Sequence, residues 1–231
     1  MDSSLTRGLY RDITDFAHDT PSWVQHLAEL WTEAGLLLFG VLFLVAWWRA
    51  RVADARALAV AVLAPLATAF GYVVSESLKS VFDEERPCRT VTDAARSLVE
   101  CPPTGDWSFP SNHASIAGAA AIALVLAWRR IWLLTVPMAL LMAFSRVFVG
   151  VHYPHDVMVG LVLGSVAAVG FVVTLTRPAT SLLRAMRSSR TGVVVWFAGP
   201  GPDRTDQGSH GGPDGTGGPG RHARTTPTRD R

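Results

Sequence analysis

Lys79, Arg86, Ser111, Asn112, His113, Arg146, His152 and Asp156 lie in or beside the most apolar stretches of a chain of 231 residues. Ionisable side chains in such surroundings are costly to bury and by default mark a site. His152 and Asp156 are four residues apart, which on a helix puts both on one face and lets the carboxylate accept from one imidazole nitrogen. The other nitrogen is then fixed as a base or nucleophile. Pro154 is comfortable only in the first turn of a helix, so the helix carrying Asp156 is expected to begin near His152 and Tyr153. In "KSVFDEERP", Lys79 and Arg86 are seven apart, on one side of a helix or helical turn. In "FPSNHAS", Ser111 or Asn112 is suited to cap a helix whose first N–H groups face an anion. Two cations, Arg146 and a helix amino terminus make a cradle for phosphate, Arg offering forked donors and Lys a mobile point charge.

Each cluster alone has a plainer reading: Lys79 and Arg86 as snorkelling residues, "PSNH" as a mere helix start, the His–Asp pair as structural. Their joint placement decides the matter, and that depends on the elements carrying them. The chain is 49% hydrophobic and only 17% charged, too apolar for an ordinary soluble domain of this length. Its apolar residues fall into blocks near the roughly 20 residues needed to cross a bilayer. Spans are expected at about Leu30 to Trp48, Ala57 to Leu78, Ala114 to Trp128, Ile131 to Val151 and Val157 to Thr176. The third is short and is expected to be extended at its start by the polar residues before it. The predicted fold class is all-α: a polytopic membrane helix bundle of about five transmembrane spans with amino-terminal interfacial helices.

Residues 1–29 read as an amphipathic interfacial segment without a secretory signal, its second helix opened by Thr20 as N-cap and Pro21 as first helical residue. Residues 30–176 form the transmembrane domain. Residues 177–231 are a basic, then Gly- and Pro-rich, disordered cytoplasmic tail; within it "GVVVWFAG" is too brief to span and is assigned to the interface. Cations cluster after the first span (Arg49, Arg51, Arg56), between the third and fourth (Arg129, Arg130) and after the fifth (Arg177, Arg184, Arg187, Arg190). With five spans all three groups lie on one side, the cytoplasmic one by the charge rule. The long connection 79–113 and "GVHYPHD" then share the outer face, so the three polar clusters converge. Cys88 and Cys101 lie on the same face, where oxidising conditions permit a bridge; two unrelated thiols are the alternative.

In order and spacing, Lys79-x6-Arg86-Pro87, Pro110-Ser111-Asn112-His113 and Ser145-Arg146-x5-His152-x3-Asp156 resemble the three-part signature of the type 2 phosphatidic acid phosphatase superfamily, over about residues 57 to 176. The resemblance implies that His152 attacks phosphorus and forms a phosphohistidine, oriented by Asp156. His113 would protonate the departing oxygen and later activate water. Lys79, Arg86, Ser111, the backbone N–H of Asn112, and Arg146 would hold the phosphoryl oxygens. Asn112 departs from the commonest family pattern, which has Gly; Asn tolerates unusual backbone angles, so the backbone donor is expected to survive. His155 is outside the signature and is expected to line the entrance or face headgroups. His18, His26, His210 and His222 carry no evident role.

No cofactor is expected. No His-x3-His, Asp-x-Asp or His-Glu pair offers a preformed set of metal ligands, and three cationic side chains take the place of a divalent ion. The expected partners are the bilayer and a membrane lipid phosphate, without nucleic acid; oligomeric state is open. Five spans argue against a haloperoxidase, the intact His113, His152 and Asp156 against a lipid-headgroup receptor, and the lack of broken helices against a transporter. The expected activity is metal-independent removal of phosphate from a polyprenyl diphosphate, undecaprenyl diphosphate to undecaprenyl phosphate, at the extracytoplasmic side of the cell membrane. Phosphatidate or phosphatidylglycerol phosphate is the alternative substrate.

Overall fold

Backbone polar groups in a hydrocarbon setting must find partners within their own segment, so apolar stretches of this length fold as helices. The computed structural model describes residues 4–202, and among them every regular element is helical. In chain order these are α1 (Ser4–Asp19), α2 (Ser22–Ala50), α3 (Ala55–Phe82), a single turn α4 (Pro87–Thr90), α5 (Asn112–Ala127), a 3-10 turn (Arg129–Ile131), α6 (Trp132–Phe148), α7 (Pro154–Arg187) and α8 (Gly192–Ala198). The segments Ser22–Ala50, Ala55–Thr90, Arg129–Phe148 and Pro154–Arg187 are long and apolar enough to cross a membrane; α5 is apolar but shorter. Leu37, Leu44, Leu133, Leu140, Val162 and Val166 stay exposed on the outside of the bundle, as a lipid-facing surface requires.

α5 is the central post, packed against α3, α6 and α7. Its 16 residues give a length of about 24 Å at 1.5 Å per residue. The expected extension at its start is two residues long: α5 takes in Asn112 and His113 ahead of Ala114, Ser111 caps it, and residues 101–111 are not helical. A helix enclosed by others has no need to match the lipid thickness. Small residues allow the enclosure. A Cβ added to Gly160 would come within 2.6 Å of the Ser111 carbonyl oxygen, and one on Gly164 within 2.0 Å of that of Ser115. The backbones of α5 and α7 therefore approach through a seam of glycine, alanine and serine, the usual solution where hydrophobicity cannot drive helix pairing in lipid.

Other differences from the expected boundaries have local causes. The Thr20 hydroxyl donates to Ala17 O at 2.6 Å and closes α1 instead of opening α2, whose N-cap is Pro21. The second interfacial helix and the first span are one element of 29 residues, because nothing between Ser22 and Leu30 breaks the helix. The fifth span continues to Arg187, since Pro178 is accommodated within α7. The "GVVVWFA" segment is a short helix, α8, docked through Trp196 and Phe197 on Trp47. Arg187 ties this end, donating to the carbonyls of Ala53, Ala198 and Arg51. The remainder of the tail, from residue 203 on, falls outside the described residues.

α1 lies across the opposite end, where the Tyr10 hydroxyl donates to Gly150 O at 2.9 Å and His18 Nε2 meets Arg96 O at 2.6 Å. Tyr10, Thr14 and Ala17 are buried while Leu9 and Phe16 project outward, an amphipathic arrangement suited to the membrane surface. The packing makes a direct forecast for the α5–α7 seam. Gly164→Val should destabilise the protein by about 1–3 kcal/mol through overpacking. Gly170→Val, on the same helix with nothing within 4 Å of its would-be Cβ, should change stability far less. Thermal unfolding of both variants in one detergent checks this; equal melting temperatures would mean the seam is loose.

Candidate active site

α3 ends with Lys79 in its last turn, and Asp83 takes a left-handed conformation (φ 42°) that stops the helix. Residues 83–86 turn back, and Arg86 becomes the N-cap of α4. Lys79 and Arg86 therefore do not share a helix face, as their spacing suggested, but converge across a turn. Both are buried, with 5% and 3% of their surface exposed. The connection that follows is stapled by a Cys88–Cys101 disulfide with the two Cα atoms 6.0 Å apart. It then folds over α3: Ser108 N–H donates to Glu84 O at 2.7 Å, which brings Asp106 above the two cations. Asp106 Oδ1 lies 2.9 Å from Lys79 Nζ and 3.0 Å from Arg86 Nη2, and Arg86 Nε donates to the Asp106 carbonyl at 2.8 Å. Partial burial resists the charge on Asp106, but the hydrogen bond from Lys79 and the nearby Arg86 prevail and hold its carboxyl below the ordinary range.

His152 sits in the link between α6 and α7, just outside the helix, and Tyr153 is the N-cap. Asp156, in the first turn, accepts the Tyr153 N–H through Oδ2 at 2.8 Å, so the carboxylate caps α7 while facing His152 Nδ1 at 3.3 Å. Ser108 joins this pair, donating its hydroxyl to Asp156 Oδ2 and lying 3.4 Å from His152 Nδ1. On the other side of the ring, Arg86 Nη1 is 3.1 Å from His152 Nε2. A guanidinium can only donate. Nε2 must therefore accept, and the ring proton is on Nδ1, turned toward Asp156. Burial, and after it the charges of Arg86, Arg146 and Lys79, hold His152 well below the ordinary imidazole range. His152 is thus neutral at pH 7, with an unshared pair on Nε2 facing a group of cations, which is the state a nucleophile needs.

Arg146, on α6, is 7% exposed, and its Nε is buried without a hydrogen-bond partner. α6 is positioned from outside by Thr32 on α2, whose hydroxyl meets that of Ser145 at 2.9 Å. Ser111 caps α5 and its N–H donates to the Asp156 carbonyl at 3.2 Å, locking the starts of α5 and α7 together. The N–H groups of Asn112 and His113 belong to the first turn, where donors have no acceptor within the helix. Asn112 has no positive φ, so the expected need for unusual backbone angles does not arise. Its side chain turns to α3 instead, accepting from Ser75 and donating to Glu76. His113 is partly exposed, with Glu33 Oε1 of α2 3.8 Å from its Nε2.

Five residues of this neighbourhood were not singled out in the sequence: Glu33, Glu84, Asp106, Ser108 and, on α1, Thr6. His155 is more embedded than an entrance residue. Its Nε2 lies 3.2 Å from Glu84 Oε1 and 3.1 Å from Asp156 Oδ1, and its Nδ1 is 2.6 Å from the Thr6 hydroxyl. Glu84, His155 and Asp156 thereby bring three possible ligand atoms within 4.8 Å, a set no local spacing disclosed because Glu84 comes from a different connection. Within it His155 Nε2 is hydrogen-bonded to Glu84 Oε2 at 3.4 Å, while Asp156 Oδ1 is close to the ring but has no hydrogen-bond partner.

Comparison with known proteins matches residues 60–179 to the family described as the PAP2 superfamily. An undecaprenyl-diphosphatase of Sulfolobus acidocaldarius is 42% identical over 94 residues, which are 40% of this chain and 44% of that protein; the match spans less than half the length of this relative. Undecaprenyl-diphosphatase BcrC of Bacillus subtilis is 31% identical over 141 residues, 61% of this chain and 68% of that one. Among solved structures, Aquifex aeolicus LpxE superposes with a TM-score of 0.59 at 23% identity, covering 73% of this chain and 95% of its own, a likeness of fold.

The geometry around His152 predicts its titration. In a histidine-labelled sample followed by nitrogen NMR, His152 should stay neutral, with its proton on Nδ1, as the pH falls through the ordinary imidazole value of about 6.5. Arg86→Gln removes a charge that opposes protonation and should move the titration upward. A His152 signal that titrates normally in the unaltered protein would contradict the assignment.

Proposed function

This chain belongs to the PAP2 superfamily, and on that premise we propose that it is an integral membrane lipid phosphatase, acting on a polyprenyl diphosphate by a phosphohistidine mechanism. The observation that carries the reading is the unprotonated His152 Nε2 facing Arg86 at 3.1 Å, with Lys79 and Arg146 acting on the same ring. In the proposed reaction the Nε2 pair attacks the terminal phosphorus and the bond to the bridging oxygen breaks. His113 gives that oxygen a proton, and undecaprenyl phosphate departs. Water, deprotonated by His113, then attacks the phosphohistidine, releases inorganic phosphate and restores His152. Asp156 supports the imidazolium that forms in between, as an orienting carboxylate does in other triads. Lys79, Arg86, Arg146, Ser111 and the N–H of Asn112 take up the charge on the phosphoryl oxygens.

The polyprenyl choice draws on the undecaprenyl-diphosphatase names of the relatives and on an apolar groove of about 280 Å³ between α2 and α6, where Leu27, Trp31, Phe144 and Phe148 end beside Ser145. A prenyl chain lying there leads its head toward Arg146. Purified protein assayed in EDTA against polyprenyl diphosphate, phosphatidate, phosphatidylglycerol phosphate and diacylglycerol pyrophosphate should release phosphate fastest from the first. His152→Ala should be inactive, and Asp156→Asn slower by roughly 10³- to 10⁴-fold. Normal turnover in either variant would remove the pair from catalysis, and a faster phosphatidate reaction would overturn the substrate choice alone.

The arginine distribution supports an outward-facing site, with Arg49, Arg51, Arg56, Arg129 and Arg130 at the end of the bundle away from His152. The site then faces outward, and so do Cys88 and Cys101. After reduction of intact cells, a membrane-impermeant thiol reagent should label both cysteines. Labelling seen only after the membrane is broken would reverse the threading.

A further inference from the structure

The cations of the cradle are already engaged by an anion of the protein's own. One oxygen of Asp106 bridges Lys79 Nζ and Arg86 Nη2 at 2.9 and 3.0 Å, the way a phosphoryl oxygen would. We propose that Asp106 is a resident counter-ion of the cradle, a carboxylate that yields to the substrate's phosphoryl group and returns to expel inorganic phosphate. The inference rests on the reading of Lys79 and Arg86 as phosphate-holding groups, and goes beyond it in assigning the residue that competes for them.

Several observations bear on whether the carboxylate can leave and come back. The Asp106 side chain is 43% exposed, against 7% for Lys79 and 3% for Arg86, so the carboxylate can turn toward water while the cations remain fixed. Beside it lies a cleft of about 290 Å³ bounded by Glu76, Lys79, Ser80, Gly105, Asp106 and Trp107. Gly105 has φ +91° and nothing within 4 Å of a would-be Cβ, a pivot where glycine is needed. The segment is tethered on both sides, by the Cys88–Cys101 bridge and by Ser108 N–H on Glu84 O. A displaced carboxylate therefore stays close, at high effective concentration for return.

Displacing Asp106 costs every incoming anion the same. A lipid substrate offsets that cost with contacts along its chain, whereas inorganic phosphate has only the cradle. The counter-ion thus weakens the product selectively in occupancy, in keeping with enzymes whose turnover is governed by product release. A purely structural role, holding Lys79 and Arg86 in register, predicts the opposite sign: without Asp106 the cradle would loosen and bind phosphate less well.

Calorimetric titration of the full-length protein with orthophosphate, and separately with orthovanadate, distinguishes the two. D106N should bind both anions roughly tenfold tighter than the unaltered protein, the scale of one lost charge-assisted contact of the competitor. D106E, which keeps the charge, should stay close to the unaltered protein, and D106S serves if D106N does not fold. In steady-state assays D106N should show a lower inhibition constant for phosphate. Equal or weaker anion binding by a folded D106N overturns the counter-ion alone. If no variant binds either anion, the phosphate cradle itself is refuted and this inference falls with it.

Discussion

Three buried cations at one end of an apolar bundle repel one another, and the architecture of that end answers this repulsion. Lys79, Arg86 and Arg146 come from three different segments and none is more than 7% exposed. In so dry a place unscreened like charges are strongly unfavourable. Asp106 neutralises part of the group, backbone carbonyls of Val151 and Asp106 take donors of Arg86, and His152 accepts another without adding charge. Burial keeps His152 unprotonated, and the same field that must be tolerated acts in the same direction. Tolerance of the charge and the chemistry proposed for His152 thus rest on one arrangement.

Holding that arrangement requires the starts of two helices to meet, and the small-residue seam does this. Gly160 and Gly164 let α7 lie against Ser111 and Ser115 of α5, so the Asp156 carbonyl can receive the Ser111 N–H. Asp156 then has two duties, closing the first turn of α7 and facing His152. A residue that caps its own helix is fixed by the backbone and gains little freedom from side-chain rotation. Packing along the membrane interior in this way sets the geometry at its edge.

The helices and the principal polar residues were legible in the sequence because both depend on local rules: apolar length for spans, a serine before an apolar helix for Ser111, and for His152 and Asp156 a spacing that keeps them close even though His152 stands just ahead of α7 and not on its face. What escaped depends on chain reversal. Asp83 in a left-handed turn and the stapled connection after it bring Glu84, Asp106 and Ser108 onto the site, and no periodicity in an irregular segment reveals where it folds back. Asn112 illustrates the limit of reasoning from a pattern: its departure from glycine was read for the backbone donor, which was expected to survive, while its side-chain amide serves as a bridge to Ser75 and Glu76 on α3. The shortness of α5 was visible, but its meaning was not, since only the packing shows that it is enclosed.

That short central helix also bears on how a lipid is met. On the proposed function, a central helix of about 24 Å inside a hydrocarbon layer of about 30 Å leaves room for the floor of the site to lie below the level of the surrounding headgroups. A lipid phosphate reaching His152 there would sink, while its chain remained among neighbouring chains. Withdrawal of each methylene into water costs about 0.8 kcal/mol, and a recessed floor avoids it. Encounter then becomes a search in two dimensions, governed by lateral diffusion and by which gap between helices a passing lipid finds open.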